Sequence, residues 1–179
     1  LSKLVKTERD KYINDYDEII SDMVENGMTE EEAVENQGDI EEIIKNIKEM
    51  CIEANHFLSS DMDEALKCAV DSEKSQLGKQ ILGQLQDNLK IAGEDMIPIC
   101  QDTGMVTVFA EIGQDVHFVG GNLYDAIDNG VRKAYIPFRK SVLSPLERVN
   151  TGDNTPAVIH TSICQGDKVK FTVAPKGFG

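Results

Sequence analysis

Pro98-Ile99-Cys100-Gln101-Asp102-Thr103-Gly104-Met105-Val106-Thr107-Val108-Phe109-Ala110-Glu111-Ile112 is where the chain changes character. Before it, apolar residues recur every three or four positions, the spacing of one helix face. Within it, Met105 to Ile112 is rich in Val, Phe and Thr, side chains that suit a pleated, half-buried strand. Pro98 cuts the helical part off, so Cys100 to Gly104 becomes a loop entering a sheet. That loop sets a thiol beside an amide, a carboxylate, a hydroxyl and a glycine, and binding groups concentrate on loops carried by a rigid scaffold. The competing reading of Cys100 is a buried, inert thiol, because free cysteine is among the most buried residue types. Local chemistry leaves both open.

Toward the N-terminus, Leu77, Ile81, Leu82, Leu85 and Leu89 predict a helix over 75–92, interrupted by Gly78 and Gly83, each costing about 1 kcal/mol relative to alanine. Ser60 is read as the cap of a helix through Val70, with Cys68 near its apolar positions. Ile40, Ile43, Ile44, Ile47, Cys51 and Ala54 form the clearest stripe, opened by Asp39 and Glu42, and Cys51 reads as a small core residue. This stripe and the Leu77–Leu89 stripe are expected to bury one another. Further back, Ile13, Tyr16, Ile20, Met23 and Val24 predict a helix over 7–26, and Thr29 with Glu32 a capping box for a short helix over 29–36.

Toward the C-terminus, Gly113-Gln114-Asp115 reads as a tight, hairpin-like connection from the 105–112 strand to a short strand at 116–119. Asn122 caps a helix through Tyr135 carrying Leu123, Ala126, Ile127, Val131 and Ala134 on one face. Strands at 157–163 and 168–173 about Gln165-Gly166-Asp167 read as a β-hairpin. Between helix and hairpin, 137–155 has little periodicity and gathers Arg139, Arg148, Asn150, Gly152, Asp153 and Asn154. The order predicts an α+β fold, a helical N-terminal half packed on a mainly antiparallel sheet with helices.

The 179 residues can hold one medium domain, or a domain plus a helical appendage. A formal charge of −14 argues against a nucleic-acid surface, which needs clustered Lys and Arg. Residues 1–48 carry fourteen acids against six bases, a balance of −8 that leaves −6 for the other 131 residues and hints at two modules. No apolar run approaches the ~20 residues that span a bilayer, and Leu1 to Tyr16 has no signal-peptide core, so no membrane role is expected. Cys51, Cys68, Cys100 and Cys164 form neither a disulfide framework nor a C-x-x-C zinc pattern, which suits a reduced, cytoplasmic setting. His117 and His160 fall within strands, and His56 at a helix end.

Six stretches carry a resemblance. They are Ile99 to Gly104, Gly113-Gln114-Asp115-Val116-His117, Gly120-Gly121, Phe138-Arg139-Lys140-Ser141, Asn150-Thr151-Gly152-Asp153-Asn154-Thr155-Pro156-Ala157 and Ala174-Pro175-Lys176-Gly177. In order and spacing they resemble the α subunit of class I, iron–sulfur fumarate hydratases and L-tartrate dehydratases, over roughly residues 40–177. The resemblance implies a hydro-lyase that reversibly hydrates a four-carbon dicarboxylate at a [4Fe-4S] cluster held by three thiolates, its fourth iron open to substrate. Thiolates suit such clusters, and an arginine fork matches a carboxylate bidentately.

By position, the resemblance makes Cys100 a cluster ligand and sets Gln101 and Asp102 toward substrate. It has Arg139 clamp a carboxylate and puts Lys176 and Gly177 in a loop approaching substrate. Gly177-Phe178-Gly179 stands where the family has a glycine-rich run. The chain is expected to be the front portion of such a subunit, the other two cluster cysteines lying in a part beyond it and the general base in a β subunit or C-terminal domain. No catalytic residue is assigned within the chain. A homo-oligomer, a dimer, is the expected assembly.

Residues 1–39 resemble instead a small helical domain of the HAAS type that heads some bacterial signalling proteins, through Thr7-Glu8-Arg9, Tyr16-Asp17-Glu18, the Thr29 capping box and Gly38-Asp39. The division expected is 1–39 as an acidic helical module and 40–179 as hydro-lyase domain. The rival from another class is a non-catalytic interaction or signalling protein that keeps the fold without a cluster.

Overall fold

A computed structural model describes residues 37–138 and 150–177; the helices expected over 7–26 and 29–36, together with Arg139 and Arg148, lie outside the described residues. In chain order the elements are β1 (Gln37–Asp39), α1 (Ile40–His56), α2 (Ser60–Ser72), α3 (Gln76–Asp95), β2 (Met105–Gly113), β3 (His117–Val119), α4 (Leu123–Ala134), β4 (Val158–Cys164) and β5 (Val169–Lys176). The class is α+β, as expected.

The sheet is mixed rather than mainly antiparallel. One sheet runs β4-β2-β5, with β2 parallel to β4 and antiparallel to β5, while β1 pairs with β3 in parallel. Neither expected hairpin forms. The physical reason lies in β2, whose alternate residues Val106, Val108, Ala110 and Ile112 are all buried. A strand with one wholly buried face belongs at the centre of a sheet, with the more exposed β4 and β5 at its edges. The turn after β4 therefore crosses the end of β2 instead of folding β5 back on β4. Gly113 permits the crossing, because a Cβ there would stand 2.2 Å from the Gly166 carbonyl oxygen. Its N–H donates to the Lys168 carbonyl at 2.8 Å.

Two helices cover the inner face of β2. Helix α1 starts at Asp39, whose carboxylate accepts the Glu41 N–H at 2.9 Å, and Glu41 and Glu42 suit the positive end of the helix dipole. It buries Ile40, Ile43, Ile44, Ile47 and Cys51. Helix α4 is capped by Asn122, which accepts from the Tyr124 and Asp125 N–H groups, and it buries Leu123, Ala126, Ile127, Gly130, Val131 and Ala134. These two stripes and the β2 face make one core, with Tyr135 and Phe138 at its edge.

The α1 stripe thus packs on α4 and the sheet, and the expected mutual burial with the Leu77–Leu89 stripe does not occur. Leu77, Ile81 and Leu85 remain 65%, 49% and 48% exposed on α3. Cys68, expected near a helix core, is exposed on α2, and the α2 cap position is Ser59 rather than Ser60. His56 serves the end of α1 as read, with Nδ1 donating to the Ile52 carbonyl at 2.6 Å. On the outer face of the sheet, Phe109 stacks on His160 and Glu111 pairs with Lys170 at 3.2 Å. Among the described residues no helix is long and apolar enough to cross a membrane.

Candidate functional site

The Cys100–Gly104 loop leaves α3 and enters β2, and its start, at Ile99, is tied to two different helices. The Ile99 N–H donates to the Asn55 carbonyl at 2.8 Å, and Asn88 Nδ2 of α3 donates to the Ile99 carbonyl at 3.0 Å. Helix α3 stops just before, at Met96, which adopts the left-handed conformation with φ 53°. Cys100 and Gln101 are exposed, Asp102 half-buried, and Thr103 and Gly104 buried. The polar head of the loop therefore faces outward while its stem is locked.

The stem is locked by side chains from three elements. Tyr135, fully buried at the end of α4, donates its hydroxyl to the Thr103 carbonyl at 3.1 Å and accepts from Asn55 Nδ2 at 3.3 Å. Asn55 Nδ2 also donates to the Cys51 carbonyl at 2.7 Å. Burial pushes the Tyr135 hydroxyl up to about 12, so it stays a protonated donor at ordinary pH; the Asn55 contact works the other way. From the 150–157 loop, Asn154 Nδ2 donates to the Gly104 carbonyl at 2.5 Å. The Gly104 N–H in turn donates to Asp102 Oδ1 at 3.0 Å.

Gly104 also meets the end of β5. With φ +64°, it would place a Cβ 1.9 Å from the Lys176 carbonyl oxygen and 2.7 Å from Gly177 N, so only glycine fits. A Cβ on Gly177 would lie 3.4 Å from Asp102 Oδ2, which puts the backbone of that glycine beside the carboxylate. The fold thus sets Asp102 beside Gly177 and Gly104 against Lys176, while Cys100 and Gln101, also chosen from sequence, stand exposed on the same loop. Arg139 lies outside the described residues.

The 150–157 loop is pinned to α4 on both sides of Asn154. Arg132 Nε donates to Asp153 Oδ2 at 2.7 Å, and Asp153 Oδ1 accepts from the Thr155 N–H and hydroxyl at 3.0 and 2.7 Å. Partial burial works to raise the Asp153 carboxyl, but the Arg132 and Thr155 bonds outweigh it and hold the group at about 2. Asp128 accepts the Ala157 N–H at 2.8 Å, and burial raises its carboxyl above the usual value against the pull of that N–H and of Arg132. The peptide bond between Thr155 and Pro156 is cis.

Four of these residues were not chosen as site residues from sequence: Asn55, Asn88, Tyr135 and Asn154, the last although it stands within the 150–157 family stretch. One signal was present for Asn55. It follows Ile47 and Cys51 at four-residue spacing, so an amide occupies a core position of an otherwise apolar stripe.

The other thiols do not join Cys100. Burial within α1 pushes Cys51 up to about 12, Cys68 is exposed on α2, and Cys164 is exposed at the end of β4. Among the described residues no three of His, Cys, Asp and Glu come together to hold a metal ion. A groove of about 540 Å³ between the end of α1, α2 and α3, lined among others by His56, Phe57, Lys67 and Lys90, contains none of the motif residues.

Comparison with known proteins gives this loop cluster a lineage. The chain is 33% identical over 141 residues to a putative L(+)-tartrate dehydratase subunit alpha of Methanocaldococcus jannaschii, a match covering 74% of this chain and 50% of that protein. It is 29% identical over 158 residues to the L(+)-tartrate dehydratase subunit alpha of Escherichia coli O157:H7, covering 85% of this chain and 51% of that one. Against the aerobic class I fumarate hydratase of Escherichia coli K12 it is 38% identical over 114 residues, 61% of this chain and 21% of the other. The chain thus spans about half the length of the tartrate dehydratase subunits and about a fifth of the fumarate hydratase. The fumarate hydratase (Fumerase) family model matches residues 44–179, and it is to that family that the chain belongs.

Proposed function

We propose that this chain is the front portion of an iron–sulfur hydro-lyase α subunit that reversibly hydrates or dehydrates a four-carbon dicarboxylate. The observation that carries the reading is the convergence of two family stretches far apart in sequence: Gly104 packs on the Lys176 carbonyl, and Asp102 stands beside Gly177. Cys100 and Gln101 project from this junction into solvent on a braced stem.

In this reading Cys100 is one thiolate ligand of a cluster, while Gln101, Asp102, Lys176 and Gly177 line the approach of substrate. Arg139 supplies a carboxylate clamp. The described residues bring one thiolate to the junction and do not by themselves hold a [4Fe-4S] group, so further thiolates would come from polypeptide beyond them. Two of the relatives are named as subunit alpha, which supports a second subunit as partner, and that partner or a further domain would carry the general base. The residues before β1 are read as a separate acidic helical module, 37–39 being joined to the following domain through the pairing of β1 with β3, and the setting as cytoplasmic.

The test is anaerobic reconstitution of two polypeptides, the 179-residue chain and one extended by the remaining length its relatives carry, each assayed for iron, sulfide and turnover of malate and tartrate. The chain alone should be isolated without a cluster and without hydratase activity. The extended form, with its second subunit, should bind about four irons and turn over substrate, and Cys100→Ser should remove its cluster absorbance while leaving the far-UV spectrum intact. Arg139→Lys there should cost about 1.5–3 kcal/mol in kcat/KM with stability unchanged. An extended protein that binds no iron would leave the non-catalytic reading standing instead.

A further inference from the structure

Asn154 connects two loops that the family reading treats separately. It is fully buried and adopts the left-handed conformation at φ 60°, a region that asparagine tolerates better than most residues. Its neighbours are fixed from outside: Arg132 holds Asp153 and Asp128 holds Ala157, both from helix α4. The amide therefore reaches the Gly104 carbonyl from a pre-set position. The Gly104 N–H points back to the Asp102 carboxylate, and the Gly104 α-carbon packs against the Lys176 carbonyl.

We propose that Asn154 is a positioning residue: its side-chain amide orients the Gly104 peptide, and through it the Asp102 carboxylate and the loop that displays Cys100. The 150–157 loop is on this account a brace for the site rather than a substrate contact. What is positioned, a ligand thiolate and a substrate-facing carboxylate, rests on the hydro-lyase reading; the brace itself is testable without it.

The argument is one of donors and freedom. Gly104 is the most permissive backbone in the loop, so its peptide orientation must be imposed by contacts. The Lys176 backbone blocks one side sterically. The Tyr135 hydroxyl anchors the preceding carbonyl, that of Thr103. The Asn154 amide supplies a buried donor at the next carbonyl, and the loss of such a buried side-chain hydrogen bond is costly enough to loosen the loop.

The experiment compares amide hydrogen exchange in the segments 99–104 and 106–112 of the 179-residue chain. Two variants separate the amide from the backbone: Asn154→Asp keeps the size but loses the donor, and Asn154→Gly keeps access to positive φ but loses the side chain. Ile47→Val, distant in the core, controls for general loss of stability. Both Asn154 variants should speed exchange in 99–104 by roughly 5- to 30-fold, with 106–112 changing no more than in Ile47→Val. In a Cys68→Ser, Cys164→Ser background, both should also change the alkylation rate of Cys100.

Exchange in 99–104 that is unchanged in Asn154→Asp, or that rises equally in Ile47→Val, would overturn the proposal. Normal protection in Asn154→Gly would overturn it too, by showing that backbone conformation rather than the amide is what matters. Failure of the extended protein to bind iron leaves these rates untouched, so the two readings fail separately.

Discussion

Gly130 on α4 lies directly against Ile47 on α1: a Cβ on Gly130 would come within 2.8 Å of Ile47 Cβ and Cγ2 and within 2.9 Å of the Ile44 carbonyl oxygen. The two helices approach this closely because the side chain is missing at their crossing. Gly130→Ala would improve helix propensity by about 1 kcal/mol, yet one of the obstructing atoms is backbone and cannot swing aside. Overpacking of this kind costs about 1–3 kcal/mol, so the substitution should be destabilising, seen as a lower denaturant midpoint with an unchanged slope. A midpoint equal to or above that of the parent would show that α1 and α4 separate freely.

The four thiols should divide by burial. Cys51, buried and pushed up to about 12, is protonated at pH 8 and shielded by the α1–α4 contact. Iodoacetamide applied to the native chain should modify Cys68, Cys100 and Cys164 and spare Cys51 until denaturant is added. Native labelling of Cys51 at a rate near that of Cys68 would contradict the core described above.

The pH dependence of the 150–157 loop follows from Asp153. Its carboxyl titrates at about 2 in the fold, against 3.8 ordinarily, so the unfolded chain binds the proton more readily. The stability this contributes is complete above about pH 4 and is lost as pH falls toward 2. With Arg132 47% and Asp153 31% exposed, solvent screening leaves it on the order of 1 kcal/mol. Asp153→Asn should therefore lower stability at neutral pH and flatten the acid limb of the stability curve. An acid limb identical to the parent's would assign that titration to other carboxylates.

Asp128 presents the opposite sign. Burial raises its carboxyl, so the fold favours the protonated form and loses stability as pH rises through that value. Asp128→Asn keeps an oxygen for the Ala157 N–H without burying a charge, and it should be neutral or stabilising by up to about 1 kcal/mol at pH 7. Asp128→Ala leaves that N–H without its partner and should cost about 1–2 kcal/mol. Thermal unfolding of the pair against the parent checks both; equal losses in the two would mean that the charge, not the acceptor, is what the loop uses.

Helices α1 and α4 could be read from the chain because each carries its own period and its own cap, and strand β2 because its run of Val, Phe and Thr suits a strand. Ile40, Ile43, Ile44, Ile47 and Cys51 repeat at helical spacing behind Asp39, and Val106, Val108, Ala110 and Ile112 alternate behind Gly104. The residues of the site loop were legible for a different reason: Cys100, Gln101, Asp102, Lys176 and Gly177 stand within family stretches. Their gathering at one junction was not written in any local pattern. It depends on β5 running antiparallel along β2, which sets Lys176 opposite Met105.

Strand partners escaped for the same reason. A short turn such as Gln165-Gly166-Asp167 suits a hairpin on local grounds, but the buried face of β2 competes for the centre of the sheet and places β4 and β5 on either side of it. The fate of Leu77, Ile81 and Leu85 was likewise undecided by their spacing, since a stripe states that a face is apolar and not what lies against it. Asn55, Tyr135 and Asn154 make the point most sharply. As residue types they are ordinary, and their importance comes from carbonyls that only the folded chain brings within hydrogen-bond reach. Periodicity and capping are local energies and can be read along the chain, whereas pairing, register and buried hydrogen bonds are decided by which surfaces exclude water together.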